Sequence, residues 1–238
     1  MGFQKKTLAN WTEKRDEFPS MTLSRSGKLI TFEGCEGSGK TTQIGLLSQR
    51  LMSFGHEVVV TREPGGTAVG ESIRHLLKHD GENSNMSPEA ELLLFAASRA
   101  QLVREVIQPA LERGALILCD RYLDSTTVYQ GIARNLSDDP VKVINEFAVG
   151  QFIPDITVVI DVPAELGLAR VRQRPSDLPD RMEQENIEFY DAVREGYLLL
   201  ARNLPERFIV VNGERAPEQV SQAIWEALQS RLPLGPLD

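Results

Sequence analysis

The chain has little cysteine, no surplus of positive charge and no long apolar run. Each shortage removes a class of protein. Only two of its 238 residues are cysteine, Cys35 and Cys119. One lies in a glycine-rich loop, the other ends an apolar run, and their spacing is not that of a zinc site. A disulfide framework is not expected, and a reducing, cytoplasmic setting fits. Acidic residues outnumber basic ones by 34 to 26, for a net charge of −8. No broad basic field is available to nucleic acid, although a local basic pocket for a small phosphorylated compound is compatible with that balance. No apolar run approaches the roughly 18 residues of a membrane-spanning helix. No internal repeat or long linker interrupts the chain. Its 41% hydrophobic and 25% charged residues are ordinary for a globular protein.

Residues 1–26 differ in character from the rest of the chain. They are polar and mixed in charge, and no apolar stretch succeeds their basic residues as a secretory signal requires. They are expected to form a disordered N-terminal extension, with Trp11 and Phe18 as possible anchors and Met21 as an alternative start. Residues 27–238 then form the folded domain.

Short β-rich runs recur at 29–33, 57–61, 115–119, 156–160 and 208–211, with helical segments between them. This alternation predicts an α/β fold: a five-stranded parallel sheet flanked by helices on both faces. The run Ile156-Thr157-Val158-Val159-Ile160 is apolar on both sides of the pleat, as a buried parallel strand requires. Ligands in such sheets bind beyond the carboxyl ends of the strands. Chemistry is therefore expected just after Phe32, Val60, Cys119 and Ile160.

Four segments carry candidate chemistry, three of them at those places. The first is Gly34-Cys35-Glu36-Gly37-Ser38-Gly39-Lys40-Thr41, which matches G-x-x-x-x-G-K-[ST] between a strand and a helix. Its glycines permit a nest of N–H groups around a phosphate. Lys40 would reach the β- and γ-phosphates, and Thr41 would hold Mg²⁺. The second is Thr61-Arg62-Glu63-Pro64-Gly65-Gly66-Thr67, a tight turn that places Arg62 at the active edge. The third is a helix beginning near Ser87, whose Phe95 and Arg99 are four residues apart and share a face. A ring and a guanidinium side by side can hold a nucleobase, although a Phe on so apolar a helix also reads as core. The fourth is Asp120-Arg121 at the end of an apolar strand. Arg121 suits a phosphate; Asp120 would join a metal shell or orient Arg121. Beyond it, Thr126 and Tyr129 are three residues apart on a helix and could enter the same pocket. Further on, Arg170, Arg172, Arg174 and Arg181 cluster among prolines, as in a loop that closes over transferring phosphates.

Together these segments resemble the thymidylate kinase family. The marks are GCEGSGKTT, TREPGGT, ELLLFAASRAQ, DRYLDSTTVYQG and ARVRQRPSDLPDRME, in the family's order across residues 28–231. The resemblance implies a P-loop NTPase fold of the nucleoside monophosphate kinase kind, with a lid at about 170–182. It implies ATP-dependent phosphorylation of dTMP to dTDP with Mg²⁺, by a cytoplasmic homodimer that binds neither nucleic acid nor membrane. ATP would lie on residues 34–41 and Thr42, with Thr41 and Asp120 on the metal side. Glu36 would meet the sugar 3′-OH, Phe95 would stack on thymine, and Arg99 would bond its O4. Thr126 would approach the base edge, with Gln130 nearby, and Tyr129 would lie beneath the deoxyribose and disfavour a 2′-OH. Arg62 and Arg121 would bind the dTMP phosphate. Position 37 is Gly rather than a basic residue, so the lid arginines Arg172 and Arg174 would join Lys40 and Arg121 in catalysis. The residues themselves leave two alternatives open: a kinase for another acceptor, which an acceptor panel would expose, and a nucleotide-dependent switch, which would turn over slowly without dTMP.

Overall fold

The computed structural model describes residues 26–78, 85–173 and 185–237. Trp11, Phe18, Met21, Arg174, Arg181 and most of the 170–182 segment lie outside those residues. Five strands alternate with helices: β1 (Lys28–Glu33), β2 (Val58–Arg62), β3 (Leu116–Asp120), β4 (Ile156–Asp161) and β5 (Phe208–Asn212). All neighbours pair in parallel, in the order β2-β3-β1-β4-β5. The sequence-predicted strands coincide with these to within a residue at each end.

Burial on both faces follows from the period of two along a strand. Ile30 and Phe32 of β1 face a core with Ile156, Val158 and Ile160 of β4. Leu29 faces the opposite way, into a second core with Ile117 and Cys119 of β3. Helix α1 (Lys40–Ser53) covers the first face with Ile44, Leu47 and Leu51, beside Trp225 and Leu228 of the last helix, Pro217–Gln229. Fully burying a side chain of this size contributes about 1.5–3 kcal/mol.

The helix ends are written locally. Helix α2 spans Ala68–Lys78 and helix α3 spans Pro88–Leu102. Ser87 caps α3, its hydroxyl accepting from the Ala90 N–H at 3.2 Å, with Pro88 at the first helical position. The chain then widens into a π-turn at Val103–Ile107 before Gln108–Glu112. Pro109 explains the widening, since it has no N–H for the regular ladder and its ring crowds the preceding turn.

Register decides which motifs meet. Phe32 lies opposite Asp120, and Arg62 lies opposite Asp120 on the other side. The ends of β1, β3 and β2 are thus level, and the three loops that leave them open onto one cleft. Arg121 begins its loop in a left-handed conformation, φ 67°. A side chain rarely adopts that conformation without support from its surroundings.

Candidate active site

The phosphate loop follows β1. Its backbone needs glycine at two tight places. Gly37 has φ +71°, and a Cβ there would lie 2.1 Å from the Gly167 carbonyl oxygen. Gly34 has φ +131°, and its Cβ would lie 2.5 Å from the Ile160 carbonyl oxygen. Lys40 is buried under the loop and donates to the carbonyls of Gly34 (3.0 Å) and Cys35 (2.9 Å) and to Ser38 Oγ (3.4 Å). Burial, with Arg121 nearby, lowers its ammonium to about 8, against the pull of Asp120, Glu36 and Glu33. The Cys35 thiol, pushed up to about 12 chiefly by burial, donates to the Tyr190 carbonyl and is no nucleophile.

An open cleft of about 260 Å³ adjoins this loop. Glu36, Gly37, Gly39, Lys40, Thr41 and Thr42 form its floor. Asp120, Arg121, Ser125, Thr126, Tyr129 and Gln130 form one wall; Arg62, Glu63, Pro64 and Phe95 form the other. Arg74 and Lys78 of α2 also line it, two cations that the sequence patterns did not single out. Thr41 Oγ1 donates to Asp120 Oδ2 at 2.9 Å, which puts two hard oxygen donors together at the edge of the phosphate loop. Among the described residues no group of three metal-binding side chains occurs. Mg²⁺ does not need one, since it commonly takes one or two protein oxygens, waters and substrate phosphates.

Arg121 is the centre of the first of these walls. Its Nη2 donates to Glu36 Oε1 at 2.7 Å, and its guanidinium lies 4.9 Å from the centre of the Tyr129 ring. The Tyr129 hydroxyl donates to the other Glu36 oxygen at 2.8 Å. Thr126 and Tyr129 do share the pocket. They stand on a short helix, Leu123–Thr126, which passes into a π-helical stretch at Thr127–Ala133. Gln130 also lines the cleft, its amide donating to Glu91 Oε1 at 2.7 Å. Phe95 is half-buried with its ring in the cleft wall, and among the described residues it belongs to no hydrophobic core. Arg62 lines the cleft as well, and both Glu71 carboxylate oxygens accept from its Nη2 at 2.8 and 2.9 Å.

Among the described residues, five expected ones are not in the lining: Gly34, Cys35 and Ser38 of the phosphate loop, Arg99 and Arg172. Arg99 shares a face with Phe95 but lies deeper, only 1% exposed. Its Nε donates to Glu63 Oε2 (2.8 Å), Nη1 to Asn145 (2.7 Å), and Nη2 to Thr126 Oγ1 (2.9 Å) and the Tyr122 carbonyl (3.3 Å). It stands behind the wall and braces Thr126, where a direct place at the base had been expected. Burial raises the Glu63 carboxyl to about 7 despite Arg99, and its Oε1 has no hydrogen-bond partner. Arg172 is exposed in the last turn of Ala164–Arg172 and is absent from the cleft lining. Arg170, two residues earlier on that helix, instead donates to the carbonyls of Gly213 (3.1 Å) and Gly37 (3.5 Å).

The sequence patterns missed the buried carboxylates. Glu33 is fully buried at the end of β1, and burial with Asp124 beside it raises its carboxyl to about 7. A charged residue closing an apolar strand, directly before a phosphate loop, was the available signal.

This is the site of a P-loop phosphotransferase, with a phosphate loop for a donor nucleotide and a second, arginine-bearing pocket against it. The thymidylate kinase family model matches residues 32–224. A thymidylate kinase of Geobacter sulfurreducens is 49% identical over 211 residues, covering 87% of this chain and 99% of that one. One of Pelobacter propionicus is 50% identical over 211 residues, covering 87% and 96%. The crystal structure of thymidylate kinase from Ehrlichia chaffeensis superposes with a TM-score of 0.70 at 33% identity, covering 85% of this chain and 99% of that one. The chain belongs to the thymidylate kinase family.

Proposed function

We infer that this chain is an ATP-dependent kinase that phosphorylates dTMP to dTDP, on the route to dTTP for DNA synthesis. The observation that carries the reading is the meeting of Lys40, Arg121 and Phe95 in one cleft. A bare nucleotide switch has no use for the second pocket. ADP release measured with and without dTMP tests it: turnover is expected only with dTMP, and equal ATP consumption without it would remove the kinase reading.

The residue roles follow from the geometry as proposals. The loop N–H groups and Lys40 hold the donor phosphates. Arg121 holds the acceptor phosphate, whose own oxygen attacks; it is already ionised, so no general base is required. Catalysis is then positioning and charge stabilisation along an in-line path. Phe95 offers a stacking face, and Thr126 and Gln130 offer polar atoms to a base edge. Glu36 and Tyr129 bound the sugar region. Thr41 and Asp120 fit Mg²⁺, which when bound would neutralise charge on the donor phosphates. Gly37 cannot carry a cation, because any Cβ there collides with Gly167. We therefore assign that charge to the lid, with Arg172 and Arg174 as its candidates. Replacing both with Ala is expected to lower kcat far more than dTMP affinity, read by a coupled ADP assay and calorimetry.

We also propose a homodimer. Helices α3 and Asp138–Val149 pack together and expose Leu93, Val143 and Phe147, the last 85% exposed. A second copy would cover this face; sedimentation of the Phe147→Asp variant tests it. The two cysteines are buried and free, which fits a cytoplasmic enzyme. Among the described residues no helix is long and apolar enough to cross a membrane.

A further inference from the structure

Arg121 carries its charge on a backbone conformation that disfavours side chains, at φ 67°. Something must hold both the turn and the guanidinium. Three bonds converge on one buried carboxylate. The Tyr122 N–H donates to Glu33 Oε1 at 2.8 Å. The hydroxyls of Ser125 and Tyr197 both donate to Glu33 Oε2, each at 2.7 Å. Those two hydroxyl oxygens lie 2.9 Å apart and also face Arg121 Nη1, at 3.3 and 3.4 Å.

A hydroxyl has one proton and two lone pairs. When both protons turn to the Glu33 carboxylate, only lone pairs face the guanidinium. Without a common acceptor, one hydroxyl would bond the other or turn its proton toward Arg121. We propose that Glu33 is a positioning residue for Arg121: it holds the left-handed turn through Tyr122 and makes Ser125 and Tyr197 fixed acceptors for the guanidinium. This rests on the reading of Arg121 as the ligand of the acceptor phosphate.

Glutamine keeps the shape and cannot do both tasks. If its oxygen takes the two hydroxyls, its NH₂ meets the Tyr122 N–H, donor against donor. If its oxygen takes Tyr122, its NH₂ donates to the hydroxyls and their protons turn toward Arg121.

The test compares Glu33→Gln, Tyr197→Phe and the double variant at pH 8, by steady-state kinetics and by calorimetric dTMP affinity. Glu33→Gln is expected to raise the dTMP KM and Kd by about tenfold, the scale of a charge-assisted hydrogen bond, with the ATP KM within about twofold. Tyr197→Phe should move the same way by less. The double variant should be no worse than Glu33→Gln alone, because both act through one relay. A folded Glu33→Gln enzyme with wild-type dTMP KM overturns the proposal, and so do additive effects in the double variant. Should Glu33→Gln not fold, Tyr197→Phe and Ser125→Ala decide it, since wild-type dTMP affinity in both overturns the relay. Arg121→Ala separates the two layers. Unchanged dTMP affinity there removes the phosphate reading itself; weakened affinity there beside a normal Glu33→Gln removes only the relay.

Discussion

Two arginine–carboxylate pairs flank the cleft and look alike by distance. Arg99 meets Glu63 at 2.7 Å, and Arg121 meets Glu36 at 2.7 Å. Their surroundings divide them. The side chains of the first pair are 1% and 3% exposed; those of the second are 17% and 16% exposed. Both members of the second pair line the cleft, whereas of the first only Glu63 does and Arg99 stands behind it. The sealed pair has its partners built in: Asn145, Thr126 and the Tyr122 carbonyl occupy the guanidinium. The open pair has room to exchange a carboxylate for a phosphate, because Glu36 stands at the same surface that a ligand meets. Chemical type therefore does not separate these two pairs; access to the cleft does, since the Arg121 guanidinium lines it and that of Arg99 does not.

Breaking the sealed pair should show first in stability. Arg99→Leu leaves Glu63 in a site without its cation, and removing one partner of a buried pair costs about 3–5 kcal/mol. A large fall in melting temperature is expected, with or without ligands. A variant as stable as the parent would place Arg99 with the working residues instead.

Breaking the open pair should show in turnover. Arg121→Ala is expected to lose about 2–4 kcal/mol of transition-state stabilisation, read as kcat/KM for dTMP. The melting temperature should change little by comparison, because solvent reaches the Glu36 carboxylate that remains. Lys40→Ala should resemble it in rate, through the donor phosphates. If Arg121→Ala instead unfolds the protein while turnover per folded molecule persists, the two pairs have been assigned the wrong way round.

The sealed pair also carries a pH signature. Glu63 is raised to about 7 by burial, above its ordinary 4.5. The unfolded chain gives up this proton first, so the stability that the protonated form contributes is complete below about 4.5. It is lost as pH rises through about 7. A shift of that size corresponds to about 3 kcal/mol across the window. Melting temperatures of the parent and Glu63→Gln between pH 5 and 8 test this: the difference between them should move in favour of Gln as pH rises. Parallel curves would mean that Glu63 ionises as readily in the fold as outside it.

The same contrast explains what was legible in the sequence. Strand bounds were readable because β-rich runs alternate with helical ones, and the sheet buries both faces. The phosphate loop was readable because its leading glycine answers to a steric need that only glycine meets, as Gly34 against the Ile160 carbonyl shows. Arg121 and Asp120 were readable from their place at the end of β3. Arg99 was not. Its spacing from Phe95 fixes the face of α3 but not the depth along that face, which depends on how α3 seats against Tyr122, Thr126 and Asn145. Glu33 and Tyr197 are 164 residues apart, and no local pattern links them. Arg74 and Lys78 sit on an amphipathic helix where cations are ordinary; only the sheet register turns them toward the cleft.

The smallest expected effect concerns a residue that the two regions share. Thr126 lines the cleft, yet its Oγ1 accepts from the sealed Arg99 at 2.9 Å. Arg99 thus fixes which way the hydroxyl is used, with a lone pair turned inward and the proton left for the cleft. A donor at that place suits a carbonyl, as on thymine, and not the amino group of cytosine. Leaving a buried polar group without its partner costs about 1–3 kcal/mol, so dTMP should be preferred to dCMP by roughly ten- to a hundredfold on that account. Thr126→Ser keeps the hydroxyl and should keep most of the preference. Thr126→Val keeps the shape and removes the donor, and the ratio of kcat/KM values for dTMP and dCMP should shrink toward one. A Val variant that discriminates as the parent does would move recognition of that edge from Thr126 to another group in the cleft, with Gln130 the next to replace.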